Sequence, residues 1–311
     1  MLNRRTLLKV AASAPVLCGN SALAAPPGPN LQQRLCLFTD HLDDSGYTFD
    51  EVARMIKQLG ISGPDLTVRS GGLVAPEKVS EDLPRAVKAC RDQGLTVPMI
   101  STNLRSATDN AAETLRLAGK LGIHYYKLGY YEYEDASRWP ERLEAVRREL
   151  KPLLKLGEEA GMTAGIHNHS GATVGGAMWD SWELLQPLDP KWVGVYFDPS
   201  HATIEGGNHG WKLGFHRVSP RLKMVALKDF IWEKSGGQWR TRWVPLGEGM
   251  VRWPEFLQLL ARVPFPGPVS LHIEYDPGGA NKADRFEKSF LAADRDLTFI
   301  RGQLKAAGLA G

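Results

Sequence analysis

A (β/α)8 barrel, one domain behind an N-terminal export signal, is the fold class this sequence predicts. Three observations carry the prediction. Short β-type runs alternate with longer amphipathic runs, the β-type runs count to eight, and several amphipathic runs end in a glycine followed directly by the next β-type run. Such alternation reads as parallel strands joined by crossover helices. An open doubly wound sheet is the competing architecture, but no Gly-rich dinucleotide fingerprint follows the first strand.

Taken in order, residues 1–24 read as a twin-arginine signal. Asn3-Arg4-Arg5-Thr6-Leu7-Leu8-Lys9 leads an Ala-rich apolar run that closes on Ala22-Leu23-Ala24, a small-x-small cleavage site. The expectation is passage through the twin-arginine export machinery, cleavage after Ala24 and a periplasmic or extracellular mature protein. Pro15, Cys18, Gly19 and Asn20 interrupt the apolar run, so no stable membrane insertion is expected after cleavage. Residues 25–34 form a linker, Pro-rich at its start, and residues 35–311 form the barrel.

Strands are expected at 35–38, 63–68, 96–100, 125–128, 163–167, 193–197, 224–228 and 269–274. Helices are expected over 48–59, 83–93, 111–121, 139–160 and 253–261, with Gly60, Gly94, Gly122 and Gly161 as left-handed caps. No domain boundary interrupts the mature chain.

Composition narrows the function. With 311 residues, 43% of them hydrophobic, the chain can bury a large core, and a formal charge of +3 spread among acids gives a nucleic-acid partner no electrostatic support. A small molecule is the expected partner; the oligomeric state is left open. Nine Trp and eight Tyr suit either ordinary core packing or stacking on sugar C–H faces. Cys36 and Cys90 remain after cleavage and read as buried thiols or a bridge, with buried thiols favoured.

The strand ends hold the chemistry. His167-Asn168-His169, Phe197-Asp198-Pro199-Ser200-His201 and His272-Ile273-Glu274 each place His or carboxylate side chains where a strand runs out, and in a barrel these ends share one mouth. Pro199-Ser200 reads as a tight exit turn aiming Asp198 and His201 at that mouth. Residues two apart on a strand share a face, so His272 and Glu274 point the same way. A carboxylate in an apolar strand needs a cation, either a metal ion or a salt-bridge partner.

These segments, with Leu227-Lys228-Asp229, Pro245-Leu246-Gly247-Glu248-Gly249 and Ile273-Glu274-Tyr275, resemble the xylose isomerase-like TIM barrels of the sugar phosphate isomerase/epimerase group, over nearly the whole mature chain. The resemblance implies chemistry on a sugar, keto-sugar or polyol at one divalent ion, with Mn, Co, Zn, Fe or Mg all open. Asp198 and Glu274 match its two carboxylate ligands, and His201 matches the histidine three places after the first, as a metal ligand or a substrate contact. Two positions depart from the pattern. His167 stands where many relatives have Glu, giving a more nitrogen-rich site, and Ala226 stands where many have the strand-seven His. The metal set implied is His167, Asp198, His201 and Glu274.

In such relatives one Glu removes a proton beside a carbonyl and another returns it. Here Glu274 is the matching base, with His169, His167 and Lys228 standing in for the missing partner. Lys228 either polarises a carbonyl or pairs with Asp198, and Lys127 is weighted the same way. Lys127, His201, His272 and Glu248 are the expected substrate contacts; Glu248, between two glycines, also reads as a turn residue. Abasic-site endonucleases of the same group are disfavoured, since they need more metal ligands and a basic DNA-binding face. The leading expectation is an isomerase or epimerase working through an enediolate. A lyase or dehydratase acting on a keto-sugar or keto-glycoside is the close variant, and a catalytically inactive periplasmic carbohydrate-binding protein the third. Outside the cytoplasm a free sugar is expected over a phosphorylated one.

Overall fold

The structure, a computed structural model, describes residues 30–310; the expected signal and the first half of the linker, 25–29, lie outside the described residues. Eight parallel strands close into a barrel: β1 (Leu35–Phe38), β2 (Gly63–Val68), β3 (Met99–Thr102), β4 (Tyr125–Lys127), β5 (Thr163–His167), β6 (Val193–Phe197), β7 (Leu222–Leu227) and, after an intervening hairpin, β10 (Val269–Leu271). Closure comes where β1 pairs with both β2 and β10, Leu37 lying opposite Pro64 on one side and Leu271 on the other. Every residue of β1, β2, β3, β6 and β10 is buried. That fits strands enclosed by helices outside and side chains within.

The helices are α1 (Phe49–Leu59), α2 (Val79–Asp92), α3 (Asp109–Lys120), α4 (Trp139–Glu159), α5 (Trp179–Leu185), α6 (Pro199–Val218), α7 (Trp253–Leu260) and α8 (Lys282–Ala306). Thr48 and Glu51 form a capping box on α1, each satisfying the other's backbone amide. The four predicted cap glycines, Gly60, Gly94, Gly122 and Gly161, all have positive φ.

Several expectations shift on contact with the structure. The third strand starts at Met99, because Pro98 has no N–H for the ladder. The eighth ends at Leu271, although His272 still donates its amide to the Leu227 carbonyl at 2.9 Å. The exit after β6 is no tight turn: Pro199 is the first residue of α6, where its missing N–H costs nothing. An element absent from the sequence reading is the antiparallel hairpin β8 (Asp229–Ser235) and β9 (Gln238–Val244), turned at Gly236 and Gly237.

Inside the barrel, Cys36, Met99, Tyr196, Met224 and Ala226 pack together. Gly165 belongs to this packing, since a Cβ there would lie 2.0 Å from Met224 Cε. Cys36 and Cys90 are both buried free thiols, so no bridge joins them. Among the described residues no helix is long and apolar enough to cross a membrane.

Candidate active site

The mouth is organised around Asp198, which is fully buried. As N-cap of α6 it accepts the Ser200 and His201 amides at Oδ1, 2.8 and 3.1 Å away. Asn168 locks the neighbouring strand end to it, receiving the Asp198 amide at 2.7 Å and donating to the Asp198 carbonyl at 2.9 Å. The other carboxylate oxygen, Oδ2, faces inward, 3.3 Å from His167 Nε2, 3.4 Å from Lys228 Nζ and 4.0 Å from His201 Nε2.

Lys228 spans the mouth. Its ammonium lies 2.7 Å from Glu274 Oε1 as well as 3.4 Å from Asp198, with only 3% of its side chain exposed. Trp243, carried by β9, closes one side with its ring 4.3 Å from Nζ, and its edge meets His201. Burial alone raises the Glu274 carboxyl, but Lys228 and then His272 more than offset this and hold it well below the usual carboxylate range.

Three histidines crowd the opposite side, all with pKa lowered by burial first and by Lys228 second. They are therefore neutral imidazoles, and their partners fix which nitrogen carries the proton. The Ser170 amide can only donate, and it meets His201 Nδ1 at 3.1 Å, so the His201 proton sits on Nε2. The Ser170 carbonyl can only accept, and it meets His169 Nδ1 at 2.8 Å, so His169 Nε2 is bare. One residue thus imposes opposite tautomers on two rings whose centroids are 4.0 Å apart. His167 donates from Nε2 to Asp198 and accepts the Tyr130 hydroxyl at Nδ1, 2.9 Å away.

The His201 Nε2–H is buried without a hydrogen-bond partner. Leaving such a donor unsatisfied costs roughly 1–3 kcal/mol. A substrate oxygen arriving beside Asp198 would recover that cost.

Beneath the mouth, a polar column supports Glu274. Asp65 accepts Ser101 and Ser270 hydroxyls at 2.8 Å each and the Tyr196 hydroxyl at 3.2 Å; Tyr196 also meets His272 Nε2 at 2.9 Å, and His272 Nδ1 lies 3.4 Å from Glu274. Both His272 nitrogens are engaged and its ring stacks on Phe38, so it orients Glu274 and offers no free nitrogen to a ligand. Lys127 is buried, donates to the Leu128 carbonyl and lies over the Tyr130 ring; burial, then Arg69, lowers its pKa to about 7. Glu274 also lines an open cavity with Asp40, His41, Tyr275, Asp276 and Arg285.

The expected metal ligands are brought together, but their chemistry does not fit a divalent ion. Such an ion needs carboxylate oxygens and bare imidazole nitrogens facing one point. Here the carboxylates face an ammonium, the His167 and His201 nitrogens turned toward Asp198 carry protons, and Ala226 lies in the apolar barrel interior. Among the described residues no group of three or more His, Cys, Asp or Glu is arranged to hold a metal ion.

Of the remaining predicted contacts, Glu248 is set apart, exposed and 3.8 Å from Arg295. Its flanking glycines serve Asp229, which accepts the Gly247, Phe230 and Val251 amides and the Trp253 indole. A Cβ on Gly249 would lie 2.1 Å from Asp229 Oδ1. Sequence reasoning missed Tyr130, Ser170 and Trp243. Only Trp243 carried a signal: alternation on both sides of Gly236-Gly237 is a hairpin pattern.

Comparison with known proteins agrees with this architecture. The family described as a xylose isomerase-like TIM barrel matches residues 53–295. An inosose dehydratase of Bacillus velezensis is 28% identical over 144 residues, covering 42% of this chain and 47% of that protein. The chain spans about half the length of the curated relatives it matches. Among solved structures, a D-psicose 3-epimerase with D-tagatose from Clostridium cellulolyticum H10 superposes with a TM-score of 0.64 at 13% identity, over 87% of this chain and 99% of its own. A xylose isomerase-like TIM barrel protein from Mycobacterium smegmatis, in complex with magnesium, gives 0.62 at 16% identity, over 87% and 98%. Likeness at that identity is likeness of fold.

Proposed function

Because the chain belongs to the xylose isomerase-like TIM barrel family, we propose that it is an enzyme that moves a proton next to the carbonyl of a sugar or keto-sugar. The observation that carries this reading is the pair of opposite tautomers set by Ser170, a bare nitrogen on His169 beside an N–H on His201. A neutral imidazole with an exposed lone pair is a general base, and a neighbouring N–H is a hydrogen-bond donor for the substrate oxygen. His169 Nε2 takes the proton from the carbon next to the carbonyl. The C–H electron pair becomes the enolate C=C, and the carbonyl pair moves onto oxygen, facing Lys228.

From that enolate, a proton delivered to carbon gives an isomer or epimer. Passed from the His169 imidazolium to a departing hydroxyl on the next carbon, it releases water as the C–O bond breaks and the enolate re-forms the carbonyl, and gives a lyase product. The inosose dehydratase relatives favour keeping this second outcome. Side chains alone carry these steps, since the donor set does not suit the divalent ion that the resemblance implies. Glu274, the base implied by that resemblance, is committed to Lys228 and His272 and acts by holding them.

The rest of the expected setting is part of the same proposal: an export signal over residues 1–24, a linker over 25–34, and a periplasmic or extracellular barrel that meets a free sugar or keto-glycoside. The test is deuterium wash-in. Keto-sugars incubated with the mature protein in deuterated water gain deuterium beside the carbonyl, whereas a carbohydrate-binding protein without catalysis binds the same sugars and leaves every C–H intact.

A further inference from the structure

We infer that Lys228 is the resident cation of this site, doing for Asp198, Glu274 and the substrate carbonyl what a divalent ion would otherwise do. The inference deepens the proton-transfer reading above and rests on it for the carbonyl. Its geometric part stands alone. Lys228 Nζ bridges Glu274 Oε1 at 2.7 Å and Asp198 Oδ2 at 3.4 Å. Among the described residues no other Lys or Arg comes within 4.0 Å of either carboxylate.

Charge bookkeeping explains why one cation is needed and a second is not. Two carboxylates turned into one buried mouth are costly without a counter-charge. Lys228 supplies it from within the chain, and a divalent ion between the same oxygens would have to expel an ammonium whose side chain is 3% exposed. The other positions agree with this placement. Ala226 gives β7 no ligand and packs with Met99, Tyr196 and Met224. His201, with its proton on Nε2, presents a donor where a ligand would need a lone pair.

Chemically, an ammonium has three N–H donors against two bridged carboxylates, so it can also donate to a carbonyl oxygen. As His169 removes the C–H proton and the electron pair passes to that oxygen, the new negative charge forms against Lys228. No electron acceptor or further reactant is required. Trp243, 4.3 Å from Nζ, shields the contact from water and strengthens it.

The experiment combines three readouts on the mature protein purified without chelator or metal resin. Elemental analysis should find metal far below one equivalent, Mn2+ titration by calorimetry should show no tight site, and Tm should be unmoved by EDTA. Deuterium wash-in should be unchanged within about twofold by EDTA and should fall at least about a hundredfold in Lys228→Met, the scale of losing one preorganised donor to a developing oxyanion. The double variant Ala226→His, Lys228→Met, which restores a ligand and removes the ammonium, should acquire Mn2+ binding that the natural chain lacks. One equivalent of metal in the natural protein, or wash-in abolished by EDTA and restored by Mn2+, overturns the inference. If no keto-sugar exchanges at all, the proton-transfer reading fails, while metal content, titration and Tm still decide whether Lys228 holds the cation position.

Discussion

The two halves of the mouth are built on different physics. On the β5 and β6 side, His167, His169 and His201 are neutral, and hydrogen-bond partners assign each proton to one nitrogen. On the β7 and β10 side, Lys228 and Glu274 form a charged pair braced by His272. The first half offers neutral imidazoles that can take up a proton, and the second can absorb the charge that appears on the substrate. Lys228 also ties the halves together, because its field lowers the pKa of all three histidines.

The largest expected effect comes from breaking the proton half alone. His169→Asn keeps a polar side chain but removes the base, and wash-in should drop by about 10²–10⁴-fold. Sugar affinity, read by calorimetry, should change little. A comparable loss of affinity would assign His169 to binding.

Next in size is a stability effect beside the same boundary. Lys127 has its pKa lowered to about 7 from 10.5 in the folded chain. Between those values the unfolded chain holds a proton that the folded chain does not, so stability rises with pH from about 7 to about 10.5. Lys127→Met should therefore stabilise the protein near pH 7, at about 1.4 kcal/mol for each unit of displacement removed, and the gain should shrink toward pH 10. Urea unfolding at both pH values is the measurement, and a pH-independent difference contradicts the assignment.

The pH profile of wash-in sharpens the contrast further. His169 is held below its ordinary pKa of 6.5 by burial and Lys228. A lowered pKa keeps the base neutral as the solution is acidified, so the rate should stay level through pH 6.5 and fall only below it. In Lys228→Met the acid limb should move upward in pH, measured on whatever activity persists.

The smallest effect is predicted for Ser170→Ala. It removes the hydroxyl 2.8 Å from His201 Nδ1 but keeps the backbone amide and carbonyl that set both tautomers. A loss of about 1 kcal/mol, or a few-fold in rate, is expected for one hydrogen bond. A hundredfold loss would mean that the hydroxyl, and not the peptide, fixes His201.

How much of this was legible in the sequence follows the same division. The barrel was, because eight strand-helix units leave a periodic trace and cap glycines mark their ends. Asp198, His167, His169, His201 and Glu274 were, because each sits where a strand runs out. What the sequence did not show is whatever depends on a distance or on the backbone. Ser170 acts through its peptide group, which every residue has, so its identity gave no hint. Lys228 read as a carbonyl contact or a partner of Asp198, and its 2.7 Å contact with Glu274 depends on a distance that the sequence does not carry. Glu248 stands between two glycines, yet Gly249 makes room for Asp229, and Gly247 makes room for the Phe299 ring and gives Asp229 its amide. The hairpin β8 and β9 was overlooked because the strand count closed at eight, and Trp243 went with it.

The central claim, proton transfer by His169, is tested most directly by proton NMR of a panel of free keto-sugars in deuterated water with the mature protein. The account predicts loss of the signal of the hydrogen beside the carbonyl, abolished in His169→Asn. Saturable sugar binding with every carbon-bound hydrogen retained would contradict it and leave a binding protein in place of an enzyme.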